Sequence, residues 1–294
     1  MAGRGRAGRG GAGVGRRAPG MRGTMRVGRT GPAAPAELVV SRRTALTGTL
    51  LCAVSGTGLA VADDGRVELA LGPTSSPQAR RAADRDCVNH VRTHRPVLSL
   101  TFDDGPDPRY TPAVLDLLRR YAARATFFVV GANAAAHPGL VARMRAEGHE
   151  VANHTHDHAH LTEIGDAEVR DQIVRGRRVV GDVGPRLLRP PVGRTSASVS
   201  RVARSLGERQ AFWSSCLEAC LHDGARVGGT GLGEALEPGA VVLAHDGGRV
   251  EGRWAQEYPR DQTVEALPHL LEALAGRGLS SVPVSELVRV GRVR

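Results

Sequence analysis

Two adjacent carboxylates, Asp103 and Asp104, stand at the end of the apolar run Pro96-Val97-Leu98-Ser99-Leu100-Thr101-Phe102. Neighbouring side chains on an extended stretch point to opposite sides. The pair therefore suits two roles, one carboxylate on a metal and the other handling a proton. A turn that uses Asp for its own backbone hydrogen bonds would show the same letters. Further on, His149, His154, His156, His158 and His160 fall within twelve residues of a chain with 11 His in all. Histidines four apart share one face of a helical turn and can converge on one ion through their ring nitrogens. His154 with His158 meets that spacing, and so does His156 with His160. An oxygen ligand such as Asp104 would complete a facial set with open positions for water and substrate. A solvated His-rich loop is the plainer explanation.

The elements around these residues alternate. A strand over 96–102 stops at Asp103-Asp104-Gly105-Pro106, and Thr111-Pro112 opens a helix with Thr as N-cap and Pro at the first helical position. Its apolar face is Val114, Leu115, Leu118 and Tyr121. A second strand spans 125–130. A helix over 138–147 turns Leu140, Val141 and Met144 inward, with Gly148 as its stop. A third strand covers 149–153, and Asp166 caps a helix carrying Val169, Ile173 and Val180. Further strands are expected near 186–189, 210–214, 240–244 and 280–284, with a last helix over 263–275. Strand and helix alternating in this way predict a parallel α/β domain, an open sheet or a barrel. Such domains keep their chemistry at the C-terminal ends of the strands, which is where the carboxylates and histidines fall.

The chain of 294 residues has a net charge of +10, which raises the question of nucleic acid or a membrane surface. Residues 1–43 hold ten Arg against the single acid Glu37, so the remainder carries only +1. The basicity belongs to the N-terminal arm, and a nucleic-acid partner is not expected. Residues 1–36, mostly Gly, Arg, Ala and Pro without apolar period, are expected to be disordered. Arg42-Arg43, the weakly apolar run over 46–62 and Ala60-Val61-Ala62 read as a twin-arginine export signal. Thr47, Gly48, Thr49, Ser55, Gly56 and Gly58 make that run a poor permanent membrane span. The expected division is a leader and signal over 1–62, a linker over 63–94 and a catalytic domain over 95–294, secreted or held in the cell wall. Cleavage would leave Cys87, Cys216 and Cys220, an odd number that does not define the fold by disulfides.

Thr101-Phe102-Asp103-Asp104-Gly105 followed by His154-Thr155-His156-Asp157-His158 resembles the family-4 carbohydrate esterases, the polysaccharide deacetylases. Arg189-Pro190-Pro191-Val192-Gly193 is similar to the third motif of that family and Leu243-Ala244-His245-Asp246 to the last, in the family's order. The resemblance implies a distorted (β/α) barrel and metal-dependent removal of N-acetyl groups from a peptidoglycan-like or chitin-like polymer. It selects His154 and His158, with Asp104, as ligands of one divalent ion, zinc or a similar metal. It implies Asp103 as base, Arg189 as the partner that keeps it ionised, and His245 as the acid for the departing amine. Pro191 and the backbone N–H of Val192 fall at the substrate and oxyanion position, and Leu243 lines the acetate pocket.

Two departures weaken the match. The third motif usually has Tyr where Val192 stands. The fourth, Asp-x-x-Asp-Trp in relatives, falls on Cys216, Leu217, Glu218, Ala219 and Cys220, so the Asp that supports the catalytic His is replaced by Ala219. Glu218 is the adjacent substitute, and Asp246 the next. An exported carbohydrate-binding pseudoenzyme and an O-deacetylase or small-amide deacylase on the same scaffold remain alternatives.

Overall fold

The computed structural model describes residues 87–181, 186–218 and 235–293, together with the backbone of a two-stranded pair, Ala60–Val61 with Val67–Glu68. Arg42-Arg43 and the rest of the leader up to residue 59 lie outside the described residues. Among the described residues no helix is long and apolar enough to cross a membrane.

A parallel sheet forms the centre. Its strands are β1 (Val97–Asp103), β2 (Ala125–Val129), β3 (Glu150–Asn153), β4 (Leu187–Leu188), β5 (Arg209–Gln210), β6 (Ser215–Cys216) and β7 (Val241–His245). The spatial order is β5-β4-β3-β2-β1-β7-β6. The short β10 (Ser280–Ser281) pairs with the start of β1. The expected α/β barrel is thus realised as a curled parallel sheet, incompletely closed. Residues 88–90 reach across from Val88, bridged to Ala211, to His90, bridged to Ala240. Val88 and Val91 are fully buried, and Val91–Arg92 pairs with Arg292–Val293. The fold therefore includes 87–94, which the sequence reading assigned to a linker; that stretch is too short and polar to show a period, yet its two valines cover the sheet's open side.

β1 shows how the sheet separates packing from chemistry. Leu98, Leu100 and Phe102 point to the helices and join Val114, Leu115 and Leu118 of α1 (Thr111–Arg120) and Leu267, Leu270 and Leu274 of α6 (Asp261–Gly276). Each such buried side chain contributes about 1.5–3 kcal/mol relative to exposure. Ser99, Thr101 and Asp103 alternate to the inner face. There Ser99 donates to the Val282 carbonyl at 2.7 Å and Thr101 to that of Val242 at 2.7 Å. The other helices are α2 (Gly131–Ala136), α3 (Pro138–Ala146), α4 (Asp166–Val180), α5 (Ala197–Ser205) and α7 (Val284–Arg289).

Local details differ from expectation where side chains have tertiary partners. Thr111 is the first residue of α1 rather than its N-cap, and its hydroxyl donates to Asp246 at 2.5 Å. Asp166 lies in the first turn of α4, where Gly165 is the N-cap. The strand expected over 210–214 is split into β5 and β6. The stretch expected as strand over 280–284 is strand for two residues and then enters α7. A hairpin, β8 (Arg249–Val250) with β9 (Gln256–Glu257), follows β7 and had no apolar signal.

Candidate active site

β1 and β7 end side by side, with His245 in register with Asp103. The chain leaves both ends in close contact. A Cβ on Gly105 would fall 2.4 Å from the Asp246 carboxylate, and one on Gly247 would fall 2.1 Å from the Asp104 carbonyl carbon. Only glycine lets the two turns approach in this way. Asp104 itself is left-handed, with φ of 71°. That kink separates the two neighbouring carboxylates and aims them at different partners.

Asp104 Oδ1 lies 3.2 Å from His158 Nε2 and 3.5 Å from His154 Nε2. The three residues are buried, with one ligand atom from each lying within 4.8 Å of the others. His154 Nδ1 donates to the Arg189 carbonyl at 2.8 Å, which leaves the Nε2 lone pair directed at the cluster. Burial holds His158 below its ordinary pKa against the pull of Asp104. Burial alone would raise Asp104, but His158 and His154 hold its carboxyl well below the usual carboxylate range. Its Oδ1 is buried without a hydrogen-bond donor. A buried carboxylate oxygen without a hydrogen bond, facing two imidazole nitrogens, fits a divalent cation.

The other expected pair is not brought together here. His156 faces Asp157 at 3.6 Å, and His160 stacks on Trp254 with ring centroids 4.4 Å apart. Nor does a helical turn bring His154 and His158 together. They lie on a loop in which Thr155 and His158 both have positive φ, 66° and 56°.

Asp103 turns Oδ1 toward Arg189 and keeps Oδ2 at the edge of that cluster, 3.7 Å from His154 Nε2. The Arg189 guanidinium is fully buried and donates to Asp103 Oδ1 at 2.7 Å and to Thr101 Oγ1 at 2.8 Å. It also donates to the carbonyls of Ala211 at 3.2 Å and Phe212 at 2.9 Å, and it lies over the Phe128 ring at 4.0 Å. Four hydrogen bonds and an aromatic face compensate its burial and fix Asp103 in one orientation.

His245 closes the far side. Its Nδ1 lies 3.3 Å from Glu218 Oε1, an ion-pair contact rather than an aligned hydrogen bond. Glu218 also accepts the His245 backbone N–H at 2.8 Å, the Thr263 hydroxyl at 2.8 Å and, through Oε2, the Cys216 thiol at 3.6 Å. Burial would lower His245, but the Glu218 carboxylate outweighs it and raises the imidazolium pKa above its ordinary value. Burial would raise Glu218, but His245 and Thr263 hold it down to about 2. Asp246, the other support considered for His245, is bonded to Thr111 instead.

The model of the polysaccharide deacetylase family matches residues 90–211. The chain is 37% identical over 205 residues to a peptidoglycan-N-acetylglucosamine deacetylase of Bacillus cereus, covering 68% of this chain and 91% of that protein. The chain belongs to the polysaccharide deacetylase family. This deacetylase is also 39% identical to a chitooligosaccharide deacetylase of Bradyrhizobium over 194 residues, 64% of this chain and 89% of that one. Among solved structures it is similar to the Bc1960 peptidoglycan N-acetylglucosamine deacetylase, with a TM-score of 0.61 and 26% identity over 74% of this chain and all of that one. A family-4 carbohydrate esterase from Streptomyces lividans in complex with acetate gives a TM-score of 0.55 and 30% identity, covering 70% of this chain and 98% of that one.

Within the deacetylase, a pocket of about 250 Å³ brings together Asp103, Asp104, His154, His158 and His245 with Leu243 and Val192. Pro191 is buried in the short turn Pro191–Gly193 and does not line it. Val192 has φ of 50° and ψ of 20°, a strained conformation for a β-branched residue. In the fourth motif, Ala219 and Cys220 lie outside the described residues. The carboxylate missing at 219 is supplied one position earlier, by Glu218. Three pocket residues had no sequence signal: Gln256, Tyr258 and Arg260, from the hairpin and its exit. Arg260 donates to Asp104 Oδ2 at 3.0 Å and to the Gly247 carbonyl at 2.9 Å, and Gln256 reaches the same Oδ2 at 3.3 Å. Oδ2 is thus occupied by hydrogen bonds, which leaves Oδ1 for the ion.

Proposed function

We propose that this deacetylase removes N-acetyl groups from an amino-sugar polymer of the peptidoglycan or chitin class. The observation that carries the proposal is the different engagement of the two carboxylates: Asp104 Oδ1 faces His154 and His158, while Asp103 is bound through Oδ1 to Arg189 and leaves Oδ2 beside His154. The two relatives from Bacillus and Bradyrhizobium, named for peptidoglycan and chitooligosaccharide substrates, support the substrate class. Asp104, His154 and His158 would hold zinc or a similar divalent ion, which the mixed nitrogen and oxygen donor set suits. Such an ion supplies polarisation of the acetamide carbonyl and a more acidic water.

The protein's own groups carry the proton steps. Asp103, ionised and oriented by Arg189, takes the proton of the attacking water. The backbone N–H of Val192, at the pocket rim, donates to the oxygen that gains charge. His245, kept protonated by Glu218, gives its proton to the departing amine nitrogen. Leu243, on the pocket wall, receives the acetate methyl. The test is acetate release from a panel of acetylated glycans, with and without a chelator. Release that a chelator abolishes and added metal restores is expected. No release from any glycan by metal-loaded protein would overturn the reading.

Export by a twin-arginine route to the cell wall or beyond belongs to the same proposal and rests on Arg42-Arg43 and the apolar run after it. Replacing both arginines with Lys is expected to retain the protein in the cytoplasm. Unchanged export would exclude that route.

A further inference from the structure

Among the described residues, Val192 and Tyr258 are the two large apolar side chains left exposed, 41% and 51% accessible. Both line the pocket that holds Asp104, His154 and His158. Large apolar side chains are left in water at a concave site chiefly where a ligand covers them. Val192 presents a small, branched surface. Tyr258 presents a flat ring.

The segment that carries the ring is held in place. Its backbone N–H donates to the Gly248 carbonyl at 2.7 Å, and strand β9, just before it, is paired with β8. Arg260 is anchored on Asp104 and Gly247, and its guanidinium lies 5.4 Å from the Tyr258 ring centroid. The hairpin is fixed at its other end by Trp254 stacked on His160. A rigid aromatic ring loses little conformational entropy when it is covered, which makes it an efficient contact surface.

We propose that Tyr258 is a stacking platform for a sugar ring next to the unit whose acetamide reacts, so that the hairpin 249–258 makes affinity depend on glycan length. The inference rests on the glycan-deacetylase reading above. A pyranose has an apolar C–H face and a hydroxyl-bearing rim. The aromatic face of Tyr258 meets the first, while the polar groups at the pocket, Arg260 and Gln256 among them, meet the second. The platform occupies the rim on a different chain segment from Val192.

The test compares the wild-type chain with Tyr258→Ala and Tyr258→Phe, using the N-acetylglucosamine pentamer and monomer as probes. Binding is measured by calorimetry on chelator-treated protein, and kcat/KM on metal-loaded protein. Tyr258→Ala is expected to weaken pentamer binding on the order of tenfold and to lower the pentamer-to-monomer ratio of kcat/KM by a similar factor. Tyr258→Phe keeps the ring and should restore both. If the wild type binds and deacetylates the pentamer and Tyr258→Ala does so with the same affinity and the same length dependence, the platform is overturned and the deacetylase reading stands. A wild type that neither binds nor deacetylates any probe overturns both.

Discussion

Glu218 Oε1 accepts the backbone N–H of His245 at 2.8 Å and lies 3.3 Å from Nδ1 of the same residue, so one carboxylate holds both the main chain and the ring. The support that the resemblance implies one position later, at Ala219, is met here from Glu218. The raised pKa of His245 follows from that contact.

A raised pKa keeps the imidazolium populated to higher pH, so the basic limb of the kcat profile should lie above the ordinary imidazole value of about 6.5. Glu218→Gln removes the charge while its amide oxygen can still accept from His245 N–H and Thr263. The limb should then move down, on the scale of one to three units typical of an opposite charge at this distance. A profile indifferent to the change would mean that His245 is not the titrating acid.

Metal binding separates the histidine pairs. His154→Ala should abolish tight binding of a divalent ion, measured by metal analysis after dialysis, whereas His160→Ala should retain it. Arg260→Ala frees Asp104 Oδ2 and should weaken the affinity by about 10–100-fold, the usual effect of removing a partner that orients a ligand. Equal losses from His154→Ala and His160→Ala would contradict the assignment of His154.

Asp103→Asn tests the proton acceptor. The neutral amide can still accept from Arg189, and the other three hydrogen bonds of that guanidinium remain. Metal content should stay near that of the wild type while turnover falls on the order of 100-fold or more. Loss of metal together with activity would mean that the roles of Asp103 and Asp104 are reversed.

Asp246 gives a prediction in stability. Burial raises its carboxyl to about 7, with Asp104, Asp103 and Asp107 adding to the shift against the hydrogen bond from Thr111. The folded state therefore holds a proton that the unfolded chain releases near 3.8. The stability linked to that proton is full below 3.8 and is lost as the pH rises to about 7. Asp246→Asn cannot ionise, so on chelator-treated protein its Tm relative to wild type should climb across this interval. A constant difference between the two curves would exclude the titration.

The parts legible in the sequence were those in which chemistry follows directly on a strand end. Asp103, Asp104, Arg189 and His245 each sit beyond or at the end of a buried run, and the structure brings them to one rim. His154 and His158 were legible as residues but not in their geometry, since two left-handed residues of a loop, rather than a helical turn, bring them together. Glu218 could be named only as a neighbour of the expected position, because counting along a chain does not reveal which way a side chain faces. Arg260, Gln256 and Tyr258 were invisible for a different reason. Their hairpin has no apolar period, and Gln256 and Arg260 matter through contacts with Asp104, some 150 positions earlier in the chain.

The place of β1 in the sheet also has a consequence for biosynthesis. Asp103 and Asp104 end a strand flanked by β2 on one side and by β7 on the other, with β10 at its start. The ribosome delivers all three proposed ligands by His158, yet the strand that walls in the first of them begins only at Val241. Pairings of such separation form late and slowly, because the intervening loop must be closed first. A nascent chain stopped before Val241 would therefore expose the carboxylates and imidazoles to solvent without holding them in place. Loading with metal should await release of the full-length polypeptide.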